Sequence, residues 1–578
     1  MNLHRLISVY LLLTFLPGIC MAKQMQQQVP DKFLRTYISP TRIVWQSDST
    51  GNFIKNAPKL LEAGNGQADL VTQDLCILKN SDTENSAILL DFGREIHGGI
   101  QLVTGMHSVN APVKVRITLG ESVSEAMSSV ASTSATNDHA IREFEIILPW
   151  LGSIEVGNSG FRFARIELLE PHKELKLKEM RAIAINRDIL WKGSFKSSDE
   201  LLNKIWQTGA YTVYLNMQNY LWDGIKRDRL VWVGDMHPEI MTILAVFGYN
   251  EVVPKSLDLI RDITKLPEYM NGISSYSMWW IQIQYQWFLN NGDLKYLESN
   301  KDYIFATLEL LKSKIDTNGI EKLDGMRFLD WPTTPNEKAV HAGLQALMLN
   351  TFYSGQKIAL ALGNKQKAQE YTETIKLLKS HIPDPNNSKA SAAMLALSGL
   401  ANATDINNQY LSNNPTNDLS TFYGYYILQA KAMANDYEGA FDIIRKYWGG
   451  MISLGATTFW EDFDINWLNN AARIDQITLP GKTDVHSTYG NYCYKGLRNS
   501  LCHGWASGPT AWLSEYVLGI TIVEPGCKTI KIAPHLNDLD WVEGTYPTPM
   551  GTLYVRHEKT KNNSIKTTIK APRGIKII

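Results

Sequence analysis

Hydrophobic periodicity divides the chain into three stretches. From about Lys23 to Arg187 apolar residues recur at every second position: Val113, Val115, Ile117 and Leu119 alternate with Lys114, Arg116 and Thr118, and Phe161 to Leu168 repeats the pattern. A two-residue period gives a strand one buried and one wet face. Gly98-Gly99, Gly105 and Gly157-Asn158-Ser159-Gly160 supply turns. The pattern predicts an N-terminal β-sandwich of jelly-roll type over residues 23–190, carrying a Ser/Ala/Thr-rich, low-complexity loop at Ala126 to Asn137.

Around Ile189-Leu190-Trp191 the period changes. Ser198-Asp199-Glu200 can cap a helix with Leu201, Leu202, Ile205 and Trp206 on one face. Helical candidates follow at 199–217, 237–248, 252–263, 276–290, 293–316, 338–362, 365–381, 389–400, 418–434, 437–448 and 508–518. No fixed-period repeat supports a solenoid. The expectation for residues 191–519 is a closed toroid of paired helices, with connecting loops collected in a cleft at one end. Alternation returns after Gly519 in Ile520 to Val523, Thr529 to Ile532, Thr552 to Val555 and Ile565 to Ile569. So short a β-domain, 520–578, must lean on the helices for its core.

The first 22 residues follow neither pattern. His4 and Arg5 precede an apolar run, Leu6 to Leu16, and a small-residue exit at Cys20-Met21-Ala22. They read as a secretory signal, too short for a membrane span, and no later stretch is long enough for one. Pro17-Gly18-Ile19 is a poor approach to a lipoprotein anchor on Cys20. The expectation is an exported, soluble protein, periplasmic or extracellular. Four cysteines remain, and export permits disulfides; Cys493 and Cys502 are close enough in sequence to pair. No Cys/His spacing resembles a zinc site, no Asp-rich loop suggests calcium, and nothing calls for a cofactor.

At 578 residues the chain calls for two to four domains. A formal net charge of -1 excludes a general pull toward nucleic acid or anionic lipid. Sixteen Trp and 25 Tyr suit an aromatic cleft for carbohydrate, which would then be the partner, and the oligomeric state is left open.

Trp222 to Glu239 packs three Asp, a Glu and three basic residues beside two Trp. A helix start explains part of it, with Asp235 as N-cap and Pro238 and Glu239 in the first turn. Trp among charges also suits a sugar, whose faces lie on indole and whose hydroxyls bond carboxylate and guanidinium. Three further loops repeat the combination: Phe328-Leu329-Asp330-Trp331-Pro332, Thr457 to Asp464, and Cys502 to Pro509. Glycoside hydrolysis needs two carboxyl groups flanking the scissile bond, and Asp223/Asp228/Asp235 and Glu461/Asp462/Asp464 offer two clusters. There is no Gly-rich phosphate loop, Gly-x-Ser-x-Gly elbow or His-Glu-x-x-His pair.

The chain resembles the bacterial α-L-rhamnosidases of glycoside hydrolase family seventy-eight. Trp222 to Glu239 resembles their Asp-x-x-x-Arg-acid and Trp-x-Gly-Asp signature, and Gly455-Ala456-Thr457-Thr458-Phe459-Trp460-Glu461 their Gly-Ala-Thr-Thr-x-Trp-Glu segment. His503 to Pro509, Asp330-Trp331, Asp91-Phe92-Gly93-Arg94 with Gly98-Gly99, Ser159-Gly160-Phe161-Arg162 and Gly544 to Gly551 also have counterparts. The resemblance implies a multidomain protein: an (α/α)6 six-hairpin barrel flanked by an N-terminal β-sandwich and a small C-terminal β-domain. It implies an exo-acting, inverting hydrolase of terminal α-L-rhamnose, with Asp228 at or beside the general acid and Glu461 as general base. Asp223, Arg227, Asp235, Asp330 and His503 would bond the sugar, and Trp232, Trp331 and Trp460 would wall the pocket. Asp228, Arg229 and Val231 depart from the family's usual residues, which keeps Asp235 and Glu239 as alternative acids and another α-linked deoxysugar or uronic acid as an alternative substrate. From other classes, a polysaccharide lyase would use Tyr492 or His503 as base, and a non-catalytic binding relative would keep the pocket alone.

Overall fold

The computed structural model describes residues 32–48, 50–82, 84–107, 111–130, 142–491 and 494–578. The signal read at 1–22, Tyr492 and Cys493 fall outside them, and with Cys493 the proposed pairing to Cys502. Cys76, Cys502 and Cys527 are buried free thiols.

Nine N-terminal strands, from Phe33–Ile38 to Glu174–Arg187, form one antiparallel ladder. Its longest strand, Ala87–Thr104, pairs along its length with Gly152–Leu168 but carries register breaks between Asp91 and Ile96 and between Gly98 and Ile100. Such bulges bend a strand. Before the bend it also pairs with Arg42–Gln46, after it with Glu174–Arg187. The two layers expected of a sandwich are thus one ladder folded over its long strands, closing on a core that includes Ile88, Leu90, Ile100, Leu102, Ile117, Phe161 and Leu177. The low-complexity loop begins as a short helix, Val123–Met127, whose Ser122 side chain accepts from the Glu125 N–H. Residues 131–141 of that region lie outside the described residues.

The middle of the chain is a closed double ring. Six inner helices, Met236–Val246, Ser274–Asn291, Glu337–Ala361, Lys389–Ser398, Gly424–Met433 and the run opened by Gly508–Trp512, pack each on the next, and the last returns to the first. An inner helix has neighbours on every side and must be apolar all round; Met241 is the one residue of Met236–Val246 that is not buried. Between them run amphipathic outer helices. Val252–Ile263 buries Val252, Val253, Ser256, Leu257 and Ile260 on one stripe, and Asp199 caps Glu200–Asn216 by accepting from the Leu201 and Leu202 amides. The expected helices are present. Short ones were missed, among them Ala403–Ile406, continuing through Asn407–Leu411, and Val485–Thr488.

The connections are unequal. Long ones, at 217–235, 264–273, 313–336, 379–388, 412–423 and 454–507, each enter an inner helix at its N-terminus and so gather at one end. Short ones occupy the other end. The C-terminal strands form a three-stranded sheet, Ile520–Ile522, Thr529–Ile532 and Lys576–Ile577, and a four-stranded one whose edge strand, Ser194–Ser197, comes from before the first barrel helix. Ile520, Ile530, Val542 and Val555 share the barrel's core, as so small a domain requires. Among the described residues no helix is long and apolar enough to cross a membrane.

Candidate active site

Four of the long connections enclose a cavity of about 240 Å³. The first supplies Asp223, Arg227, Asp228, Trp232 and Asp235; the second, with the helix it enters, Asn271, Ile273 and Tyr276; the third Met326, Phe328 and Trp331; the last Glu461, Arg498, His503 and Trp505. The first connection makes a tight turn in which Asp228 and Arg229 both adopt left-handed backbone (φ 55° and 53°). Such a conformation is costly for residues bearing side chains and persists where surrounding contacts impose it. Here the Arg229 N–H donates to the Arg227 carbonyl (2.7 Å), and Gly224 bridges to His503 on the last connection.

Arg227 is the hub. Its Nη2 donates to both oxygens of Glu461 (2.5 Å each), its Nη1 to Asp228 Oδ1 (2.8 Å) and its Nε to the Arg498 carbonyl (2.7 Å). Asp228 Oδ2 accepts from Trp232 Nε1 (3.2 Å). Glu461 Oε2 also accepts from the Ser500 N–H (3.1 Å), so the carboxylate is held in one orientation. His503 Nε2 lies 3.7 Å from Glu461 Oε1, 3.8 Å from Asp223 Oδ2 and 3.9 Å from Asp235 Oδ2. Burial drives this imidazole well below the ordinary histidine range, so it stands neutral among the acids.

The pocket's acids differ in environment. Burial, then the charges of Asp228 and Asp235, raise Asp223 well above the usual carboxylate range. Burial pushes Asp235 up to about 8, against the hydrogen bond that Tyr276 donates to its Oδ1 (2.7 Å). Asp235 precedes the helix it was expected to cap, but its side chain makes no capping bond. Glu239, in the next turn, is fully buried, has no hydrogen-bond partner for either oxygen among the described residues, and is raised well above its usual range by burial. It does not line the cavity, so of the alternative acids Asp235 alone faces it.

Asp235 makes stability depend on pH. The unfolded chain ionises this carboxyl near pH 4 while the folded chain keeps its proton to about 8. Between those values the folded state binds the extra proton, so its stabilisation falls as pH rises and is lost above the folded value. Asp235→Asn has no such proton. Its melting temperature relative to the parent should therefore climb between about pH 5 and about pH 8, followed by differential scanning fluorimetry; a difference that does not vary with pH would mean that Asp235 ionises normally.

Eight of the ten expected site residues line this one cavity: Asp223, Arg227, Asp228, Trp232, Asp235, Trp331, Glu461 and His503. The structure places Asp330 and Trp460 elsewhere. Asp330 accepts from the Ser420 hydroxyl (2.6 Å) and the Thr333 N–H (3.0 Å), which fixes the loop presenting Trp331. Trp460 is buried edge-on to Phe463 behind Glu461. Asn271, Tyr276 and Arg498 were not singled out: the first two come from the second connection and the helix it enters, which carry no other sign of chemistry, and Arg498 lies between the marked loops of the last connection. Trp505 and Phe328 lay within the aromatic loops that the sequence did mark. Trp279, Trp280 and Trp287 are core, as their helical spacing indicated.

Six helical hairpins closed into a ring, with carboxyl groups gathered where long loops enter the inner helices, define a six-hairpin glycosidase architecture. Comparison with known proteins agrees: residues 191–393 match the bacterial alpha-L-rhamnosidase 6 hairpin glycosidase domain and residues 519–577 the bacterial alpha-L-rhamnosidase C-terminal domain. The likeness read from the sequence to bacterial α-L-rhamnosidases therefore holds. An alpha-L-rhamnosidase of Formosa agariphila is 31% identical over 102 residues, 18% of this chain and 10% of that protein. Among solved structures, the fold is similar to a GH78-family rhamnosidase of Bacillus sp. GL1 (TM-score 0.73, 22% identity, 90% of this chain and 55% of that one). It is similar also to a Klebsiella oxytoca rhamnosidase with rhamnose bound (0.66, 19%, 84% and 96%) and to a Streptomyces avermitilis alpha-L-rhamnosidase complexed with L-rhamnose (0.69, 15%, 95% and 50%). This chain spans about half the length of the Bacillus and Streptomyces proteins.

Proposed function

We propose that this protein is an exo-acting, inverting α-L-rhamnosidase that removes terminal rhamnose from an oligo- or polysaccharide outside the cytoplasm. The observation that carries the reading is Arg227, which holds Asp228 and Glu461 on the two ends of its guanidinium across one aromatic-walled cavity. Inverting glycosidases need about 6.5–9.5 Å between their carboxyl groups to admit water, and this is the spacing the reading requires of Asp228 and Glu461. Glu461, oriented by Arg227 and Ser500, takes a proton from the water that attacks the anomeric carbon. Asp228 gives a proton to the departing oxygen. With 14% of its side chain exposed, against 4% and 5% for Asp223 and Asp235, it is the acid nearest the mouth where the leaving group exits. Asp223 and Asp235 meet the sugar hydroxyls, while Trp232, Trp331 and Trp505 offer apolar faces to the ring and its methyl group. A lyase would need a free arginine for a uronate, and Arg227 is engaged by two carboxylates.

Hydrolysis of an aryl α-L-rhamnoside, run beside a panel of other aryl glycosides, tests this. The expected product is rhamnose, released first as the β-anomer and followed by NMR. Turnover of a different glycoside alone would refute the sugar, α-anomer first would refute inversion, and saturable sugar binding without turnover would make the chain a binding protein.

A further inference from the structure

The N-terminal sheet domain reaches the site without touching the cavity. Its strand Gly152–Leu168 runs so close to the first connection that a Cβ on Gly160 would stand 2.9 Å from the Lys226 backbone nitrogen. Lys226, the neighbour of Arg227, turns away from the cavity. Its Nζ lies 3.1 Å from Glu121 Oε2 and 3.4 Å from Glu125 Oε1, both carboxylates buried in the sheet domain. The same ammonium donates to the carbonyls of Leu497 (2.9 Å) and Asn499 (2.7 Å). Glu121 Oε2 accepts in addition from the Leu501 N–H (2.6 Å), and His486 joins Ser122 Oγ (2.6 Å) to the Asn499 carbonyl (2.9 Å). Segment 497–501 is therefore gripped from the sheet-domain side. Its other side grips Glu461 and Arg227: the Ser500 N–H donates to Glu461 Oε2, the Glu461 N–H to the Ser500 carbonyl (2.9 Å), and Arg227 Nε to the Arg498 carbonyl.

Glu121, Glu125 and His486 bring potential ligand atoms within 4.8 Å of one another, as a metal site would. Both ring nitrogens of His486 are already engaged, however, and the Lys226 ammonium supplies the positive charge. The cluster is a latch around an internal cation.

We infer that Lys226, Glu121 and Glu125 are positioning residues: the sheet domain, through this latch, sets segment 497–501 and with it the orientation of Glu461. The inference rests on the reading of Glu461 as the base. A one-ångström displacement of a catalytic group costs about 10²-fold in rate, which sets the scale expected when the latch is removed.

Lys226→Met leaves Glu121 and Glu125 without their shared cation, Glu121→Gln leaves Lys226 with Glu125 alone, and each should lower the melting temperature. The double variant removes the Lys226–Glu121 pair and leaves Glu125 facing Arg142 (3.8 Å), and neutral replacement of a buried pair commonly restores stability. It should regain part of the melting temperature lost in Lys226→Met while kcat for an aryl α-L-rhamnoside stays about 10²-fold low and KM moves less. Amide exchange followed by mass spectrometry on the full chain should be faster in peptides covering 497–503 and unchanged across the N-terminal strands. Recovery of kcat together with stability, or unchanged exchange at 497–503, would overturn the inference, as would exchange accelerated throughout the sheet domain. Should the parent cleave no rhamnoside, the proposed substrate fails, and the exchange measurement still decides whether the latch sets the segment.

Discussion

Glu461→Gln should lower kcat for α-L-rhamnoside hydrolysis by about 10²–10⁴-fold, the share of the barrier that a positioned general base removes. The amide keeps the shape of the carboxylate and can still accept from Ser500, but it cannot take a proton from water. It also turns an NH₂ group toward Arg227 Nη2, which now donates to both carboxylate oxygens at 2.5 Å. Arg227 should then shift toward Asp228, so a modest rise in KM accompanies the loss of kcat. Steady-state kinetics with saturating substrate separates the two effects. A variant retaining a tenth or more of the parent's kcat would move the base elsewhere, and Asp462 is then the next carboxyl to test: burial, then the charge of Glu461, hold it at about 7.

How much of this was legible depended on whether a residue's role shows in its immediate neighbours. Alternation through Val113 to Leu119 is local, and the strand stands where it was expected. The fold of the ladder is not local, since it turns on register breaks inside Ala87–Thr104 that leave no trace in a two-residue period. Ser194–Ser197 is too short to alternate, and its partners lie near Thr545. The inner helices were visible as helical candidates, but their closure into a ring is a property of contacts between distant segments. In the site, Trp beside acid led to loops that meet at one cavity, because water-exposed loops seldom place indole among charges. The same signal misplaced Asp330 and Trp460, since a carboxylate that caps a loop and an indole that backs one have the same neighbours in sequence as groups that face a ligand. Tyr276 and Arg498 carry no such mark. Each enters the cavity as a single side chain, and the helix around Tyr276 reads simply as core.

The acid is the assignment on which Asp228 and Asp235 compete, and leaving groups can separate them. Asp235 keeps its proton to about 8 but has only 5% of its side chain exposed, behind Tyr276. Asp228 is more open and is held by Arg227 and Trp232. Protonation of the departing oxygen matters most when that oxygen is basic, as in a sugar or alkyl alcohol, and little when it leaves as a stabilised phenolate. Asp228→Asn should therefore cut kcat/KM by about 10²–10⁴-fold on a disaccharide or alkyl rhamnoside, but by far less on a dinitrophenyl rhamnoside. Asp235→Asn should weaken all substrates by a similar factor, because a lost hydroxyl contact does not sense the leaving group. The reverse pattern, leaving-group dependence in Asp235→Asn and a uniform loss in Asp228→Asn, would exchange the two roles. It would also give a use to the burial that Asp235 shares with Asp223, since an acid that must hold its proton at neutrality gains from that environment, while Asp228 would then serve with Arg227 in fixing Glu461.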